Sequence, residues 1–324
     1  MPDHECMIIA NPEGNAWDFA VSVYNNIKEK NSGQNDKKYY MNELKIKRFR
    51  DGEIKVKVRD NIRRKNCFLI HDSSLCPSEW LIHLAFANQA MRNSSADEII
   101  DVLPYMKFTR QDRKDESRVS INSKVVTDIV ELYADRILTI DSHFTQIQGF
   151  YSKPLDNLYS SKILLEHLKE RHPSFLENLV VMSPDVGGTK RADAFKDRLG
   201  IRDIAIGHKH RPEEGEIDDF RVIGEVSGKN VLIVDDIVDS GNTLIIAAKE
   251  LKKNDAKDVY AYCTHGIFSE NARERVTQEL DLMITTDSIY QPKHEKIEVI
   301  PLAGLFAEAI YRTNRGDSLS ALFE

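Results

Sequence analysis

Asp235 and Asp236 follow the apolar run Val231-Leu232-Ile233-Val234, and beyond Ile237 and Val238 come Asp239, Ser240, Gly241, Asn242 and Thr243. A run of this kind is typical of strands buried on both faces of a parallel sheet, so the two carboxylates are expected where the strand ends. The small-residue turn then opens an apolar-periodic helix from Leu244 to Leu251. Backbone N–H groups at such a helix start, backed by the positive end of its dipole, form a cup for a phosphate dianion. The adjacent carboxylates suit sugar hydroxyls or a magnesium ion that bridges to phosphate. Ligands of open α/β sheets bind at this edge, and the pieces together suit a sugar phosphate.

Other strands are expected at Cys6 to Ala10, Cys67 to His71, Glu98 to Leu103, Ile137 to Asp141, Leu179 to Ser183, Asp203 to Ile206, Val259 to Cys263 and Leu282 to Ile284. Ile54, Val56 and Val58 alternate with Lys55, Lys57 and Arg59, the pattern of a strand with one wet face. Trp17, Ala20, Tyr24 and Ile27 share one face of a helix. Helices lie between most of the strands, which predicts two three-layer α/β units with mainly parallel sheets and a boundary near Pro154 to Tyr159. No sequence repeat relates the two halves.

At 324 residues the chain has room for two such domains. A net charge of −7 argues against nucleic acid as a partner, so anionic substrates must be held by local cups. No uncharged apolar stretch is long enough for a membrane span, and the first residues lack the pattern of a signal peptide. Cys6, Cys67, Cys76 and Cys263 show neither metal-ligand pairing nor a dense disulfide pattern, so a cytoplasmic location is expected.

The stretch from Val231 to Thr243 resembles the 5-phosphoribosyl 1-diphosphate (PRPP) binding motif of the type I phosphoribosyltransferase fold. Further blocks extend the likeness: Pro104 to Arg118 with Arg-Gln-Asp-Arg-Lys, Thr139 to Tyr151, Ser183 to Ala192, Thr264 to Ser269 and Ser318 to Phe323. In this order they resemble the ribose-phosphate diphosphokinases, or PRPP synthetases, over nearly the whole chain. The resemblance implies two similar phosphoribosyltransferase-like domains. Residues 1–157 form the ATP side with the subunit contacts, and residues 158–324 hold the ribose 5-phosphate site and the catalytic loop, with the final residues packing back on the first domain.

It also implies transfer of the β,γ-diphosphoryl group of ATP to the 1-hydroxyl of ribose 5-phosphate, giving PRPP and AMP. Lys209 and Arg211, in the polar segment from Gly207 to Gly215, correspond to the catalytic pair of a mobile loop. Asp235, Asp236, Asp239, Ser240, Gly241, Asn242 and Thr243 would bind ribose 5-phosphate, and His143 and Asp185 would contact Mg2+. Arg110 and Gln111 would hold ATP, joined by Phe49, Asp51 and Glu53 of a neighbouring subunit, so a homodimer is the minimum active unit and a hexamer is expected. Ser117, Arg118, Ser318 and Ser320 match an allosteric ADP site.

The family's sugar-phosphate loop usually reads Asp-Thr-x-Gly-Thr, whereas this chain has Asp239-Ser240-Gly241-Asn242-Thr243, closer to the purine phosphoribosyltransferases. Asn at position 242 is expected to tolerate the unusual backbone angles of such a cup. Gly187-Gly188-Thr189-Lys190 is not a Walker loop, because the glycine spacing is absent and Thr precedes Lys. Two other readings are a catalytically silent regulatory homologue and, opposed by the ATP segment and the length, a phosphoribosyltransferase.

Overall fold

A computed structural model describes residues 5–32, 38–210 and 219–322. The first series of elements is β1 (Cys6–Ala10), α1 (Trp17–Asn31), β2 (Tyr39–Arg48), β3 (Ile54–Val58), β4 (Asn66–Ile70), α2 (Pro77–Asn93), β5 (Ile99–Leu103), α3 (Asn122–Val130), β6 (Arg136–Ile140) and β7 (Leu155–Leu158). The second is α4 (Ser161–Arg171), β8 (Leu179–Ser183), α5 (Thr189–Leu199), β9 (Ile204–His210), β10 (Asp219–Ile223), β11 (Asn230–Val238), α6 (Asn242–Lys253), β12 (Val259–Gly266), α7 (Ala272–Glu279), β13 (Leu282–Thr286) and β14 (Ile297–Ile300). A last helix, α8 (Ala303–Arg315), follows.

The strands form two seven-stranded sheets, ordered β3-β2-β1-β4-β5-β6-β7 and β10-β9-β8-β11-β12-β13-β14. Adding seven to each strand number of the first order produces the second, so one topology occurs twice. In each sheet only the edge pair is antiparallel, β2 with β3 and β9 with β10. Central strands such as β1, β5 and β8 are buried at every position, whereas β3 alternates between half-buried and exposed residues.

Among the described residues the chain divides into two compact units, one comprising the stretch up to Tyr159, Ser288–Tyr290 and the stretch from Pro301 onward, the other Ser160–Asp287 and Gln291–Ile300. Within the first unit α8 packs on α1, where the rings of Phe19 and Phe306 meet edge to face at 5.7 Å. Its buried Asn314 accepts a hydrogen bond from Asn66 Nδ2 at 2.9 Å and donates to the Tyr39 hydroxyl at 3.2 Å, fastening the helix to the starts of β4 and β2.

Several strands run further than their letters indicate. β11 continues through both carboxylates to Val238, because Asp235, Ile237 and Val238 keep their places beside Cys263, His265 and Gly266 of β12. β9 likewise extends to His210, held by the antiparallel ladder in which Lys209 lies opposite Phe220. β2, β7, β10 and β14 were not expected at all. β2 mixes polar residues with isolated buried ones and is fixed by two neighbours, β1 along its first half and β3 along its second. On α1 the deeply buried residues are Ala20, Val23 and Ile27, while Trp17 and Tyr24 are only half-buried.

Asp101 is an acid in an otherwise apolar strand, fully buried in β5, where one carboxyl oxygen accepts a 2.7 Å hydrogen bond from Asn88 of α2. Burial pushes its pKa up from 3.8 to about 8. The folded state therefore holds a proton that the unfolded chain releases, and the contribution of this group to stability falls as pH rises from about 4 to about 8. Asp101→Asn should remove that dependence, which is at most ~1.4 kcal/mol per pH unit. Denaturant unfolding of both proteins at pH 5, 7 and 9 checks this; equal slopes against pH would refute it.

Candidate active site

The turn between β11 and α6 is built around Gly241. Its φ is +72°, and a Cβ at this position would come within 2.3 Å of Val276 Cγ2 on α7. Only glycine fits both the left-handed angle and the lack of space. Asn242, expected to take the unusual angle, instead begins the helix, and the strain falls one residue earlier. Asn242 Oδ1 accepts a hydrogen bond from Arg275 Nη2 at 2.6 Å. Thr243 lies in the first helical turn, where backbone amides have no intrahelical acceptor. Leu244, Ala247, Ala248 and Leu251 anchor α6 in the core behind it.

The turn after β12 latches onto this loop. Ile267 and Phe268 donate backbone hydrogen bonds to Val238 O, and Ser269 N donates to Asp239 O at 3.2 Å. The Ser269 hydroxyl also donates to the Asp239 carboxylate. Ser240 is exposed beside it.

Asp236 is buried and Asp235 half-buried, and one guanidinium nitrogen, Arg191 Nη1, reaches Oδ1 of both, at 3.0 and 3.2 Å. The backbone N–H of Asp236 donates to Asp235 Oδ1 at 2.9 Å. Burial, and next the negative charge of Asp236, push the Asp235 pKa well above the usual carboxylate range; Arg191 pulls it down. Sequence reasoning passed over Arg191. The available signal was its place in the first turn of α5, where the helix dipole disfavours a cation unless carboxylates meet it.

α5 begins in the glycine turn that holds Asp185. This exposed carboxylate accepts the Gly188 N–H at 2.8 Å, and the Ser183 hydroxyl donates to Asp185 O at 2.6 Å. A Cβ on Gly188 would lie 2.6 Å from Ser183 Oγ, so the turn leaves no space for a side chain there. Asp185 thus stands at the carboxyl end of β8, next to β11 in the sheet. Its hard oxygens and those of the Asp235–Asp236 pair match the donors that Mg2+ favours. The imidazole of His143 is a softer donor than these oxygens. His143 is exposed after β6 in the first unit, whereas Asp185 belongs to the second.

Lys209 lies near the end of β9, so the polar segment from Gly207 to Gly215 begins as strand. Gly207 in this strand has no space for a Cβ, which would stand 2.6 Å from Pro184 O and from the Phe220 ring. Arg211 lies outside the described residues.

In the first unit Phe49, Asp51 and Glu53 form the hairpin between β2 and β3. Phe49 N donates to Glu53 O at 2.7 Å, Glu53 N donates to Asp51 Oδ1 at 3.1 Å, and Gly52 takes a φ of +96°. The Phe49 ring is 46% exposed, so the turn presents an aromatic face that its own unit leaves uncovered. Arg110 and Gln111 come from the segment after β5. Ser123 at the start of α3 donates to Gln111 O through both its N–H and its hydroxyl, and Gln111 Nε2 donates to Asp115. Ser117 and Arg118 are exposed, and Arg118 has a φ of +66°. Ser318 Oγ accepts Ser320 N at 3.1 Å, and Arg312 donates to Ser318 O at 2.9 Å, so the two serines shape the turn after α8.

Comparison with known proteins adds independent findings. The family model described as the N-terminal domain of ribose phosphate pyrophosphokinase matches residues 18–133, and that of the phosphoribosyl synthetase-associated domain matches residues 210–324. The ribose-phosphate pyrophosphokinase of Rhizobium meliloti is 45% identical over 286 residues, spanning 86% of this chain and 91% of the relative. That of Porphyromonas gingivalis is 42% identical over 283 residues, spanning 86% and 89%. The crystal structure of phosphoribosylpyrophosphate synthetase from Mycobacterium smegmatis superposes with a TM-score of 0.84 at 28% identity, over 96% of this chain and 99% of the other. With this identity sustained over nearly full lengths, the chain belongs to the ribose-phosphate pyrophosphokinase family.

Proposed function

We propose that Asp235, Asp236 and the Asp239–Thr243 turn hold ribose 5-phosphate in a ribose-phosphate pyrophosphokinase that converts it with ATP into PRPP and AMP. The observation that carries this assignment is the left-handed Gly241, wedged against Val276 and opening α6, with two carboxylates in the closing residues of the preceding strand. The helix start suits the 5-phosphate, and the carboxylates suit ribose hydroxyls, which donate to them. Arg191 offsets part of the cost that burial and mutual repulsion put on ionising the pair.

Arg110 and Gln111 are assigned to ATP, with Phe49, Asp51 and Glu53 supplied by a neighbouring subunit. An exposed aromatic ring on a hairpin tip suits stacking on a base across an interface. A homo-oligomer, a dimer at least and a hexamer in the fuller form, follows from that sharing, and the cytoplasm is the expected compartment. Ser117, Arg118, Ser318 and Ser320 are assigned to a regulatory ADP site.

In the reaction the 1-hydroxyl of ribose attacks the β-phosphorus of ATP, and the bond to the oxygen retained by AMP breaks. Such a transfer needs positioning and charge neutralisation more than covalent help. Lys209 and Arg211 supply positive charge to the phosphate oxygens as the reaction proceeds. Asp185, together with the Asp235–Asp236 pair, would hold Mg2+. When bound, the ion neutralises and orients phosphate oxygens. Incubation with ATP, Mg2+ and ribose 5-phosphate should yield AMP and PRPP; absence of both would indicate a silent homologue.

Four variants test the residue roles. Lys209→Ala and Arg211→Ala should each lower kcat by about 10²-fold or more while leaving thermal stability unchanged. Full turnover in both would remove them from catalysis. Asp239→Asn and Thr243→Val should weaken ribose 5-phosphate binding more than ATP binding in separate calorimetric titrations, and equal losses would contradict the division of labour.

Arg191→Leu should raise the Asp235 pKa further, because the group that pulls it down is gone. The acid limb of the kcat/KM profile should then move to higher pH with a loss of about 10-fold or more near neutrality, partly restored by Arg191→Lys. A pH profile identical to the parent's would show that the guanidinium does not tune the pair.

A further inference from the structure

Away from the substrate residues, three potential metal ligands of the second unit converge. Nε2 of His167 and Nε2 of His172 lie 2.7 and 2.9 Å from one oxygen of Glu298, Oε2, and the three ligand atoms all fall within 4.8 Å of one another. We propose that His167, His172 and Glu298 form a binding site for a divalent transition-metal ion of the zinc type, which clips the end of α4 to the edge strand β14.

Local structure aims these groups at one point. Five residues apart, the two histidines would stand about 140° from each other around a continuous helix. Pro173 prevents that continuation, because the residue before proline is driven out of the helical region. α4 accordingly stops at Arg171, and His172 takes φ −133° and ψ 48°. Its ring then stands edge-on to Tyr260 at 5.5 Å, and Tyr260 is in turn stacked on Phe175 at 3.7 Å. The imidazole of His172 is therefore held by packing before any ion arrives.

Glu298 reaches the same point from β14, the last strand of its sheet. Burial raises its pKa, but the hydrogen bonds from His172 and His167 outweigh this and hold the carboxyl below its usual range, so it is ionised at neutral pH. Two imidazoles and one carboxylate are a donor set for zinc, and the site keeps a fourth position for water. Zinc with bonds of 2.0 to 2.1 Å needs ligand atoms about 3.4 Å apart, so the His167 and His172 contacts must widen by about 0.7 and 0.5 Å. The Glu298 side chain, 29% exposed, has space to swing by that amount. Mg2+ prefers oxygen donors, so a site with two nitrogens discriminates against the ion of the transfer reaction.

Metal-stripped protein can be titrated with Zn2+ by calorimetry in excess Mg2+, and with Co2+ followed by visible absorption. The expected result is one tight equivalent per chain, a higher Tm with zinc, and a Co2+ spectrum showing nitrogen ligation. His167→Gln/His172→Gln should weaken the tight equivalent by at least about 100-fold, more than loss of a supporting hydrogen bond costs a metal site, and Glu298→Gln should weaken it too. Glutamine keeps much of the volume and hydrogen bonding, and PRPP synthesis in each variant reports an intact fold. If the double variant does not fold, Glu298→Gln and the Co2+ spectrum of the parent decide. A parent that takes up no tight zinc, or variants that bind it as the parent does, would overturn the proposal and leave a hydrogen-bonded histidine pair.

Discussion

Placing two consecutive carboxylates in the inner strand β11 is the constraint around which the second unit is arranged. Side by side and largely out of water, Asp235 and Asp236 raise each other's cost of ionisation. The structure answers with one cation, Arg191, whose Nη1 touches both. To deliver it, α5 must start directly after β8, and that start requires the tight turn at Gly188. The same turn brings Asp185 to the carboxyl end of the strand beside β11. An electrostatic demand in one strand thus fixes the geometry of its neighbour's connection.

The repeated strand order has a similar consequence. In each sheet the antiparallel edge pair is a hairpin attached next to the first strand, β2 with β3 in one unit and β9 with β10 in the other. The connection in the first unit carries Phe49, Asp51 and Glu53, and the one in the second joins the strands that flank Arg211. The same edge pairing therefore recurs in two copies of one topology.

Close approach explains why certain residues cannot vary in this architecture. At Gly241, Gly207 and Gly188 a single added carbon would meet a side chain or a carbonyl at 2.3 to 2.6 Å. These contacts hold the β11–α6 turn against α7, β9 against β10, and the Asp185 turn against Ser183. Rigidity at all three places limits how far the polar groups can drift from one another.

The local signals decided a good deal without help. Runs such as Leu-Val-Val-Met and Ile-Ile-Asp-Val-Leu identify inner parallel strands, because only a strand covered on both faces needs apolar residues at successive positions. The Asp-Asp run followed by a small-residue turn marked the passage from β11 to α6 in the same local way. What the letters did not determine was settled by neighbours far away in sequence. β11 extends to Val238 because β12 supplies a ladder partner, and β2 exists because two strands hold a polar segment between them. The left-handed angle fell on Gly241 and not on Asn242 because Val276, on another helix, occupies the space where a side chain would go. Arg191 meets the carboxylates only once two βα connections lie side by side, and the fold's duplication is a matter of strand order that side-chain identity does not preserve. Sequence alone determined the elements whose burial is local and periodic; tertiary structure decided those whose partners arrive from elsewhere, since hydrogen-bond ladders, excluded volume and charge pairing depend on distance in space.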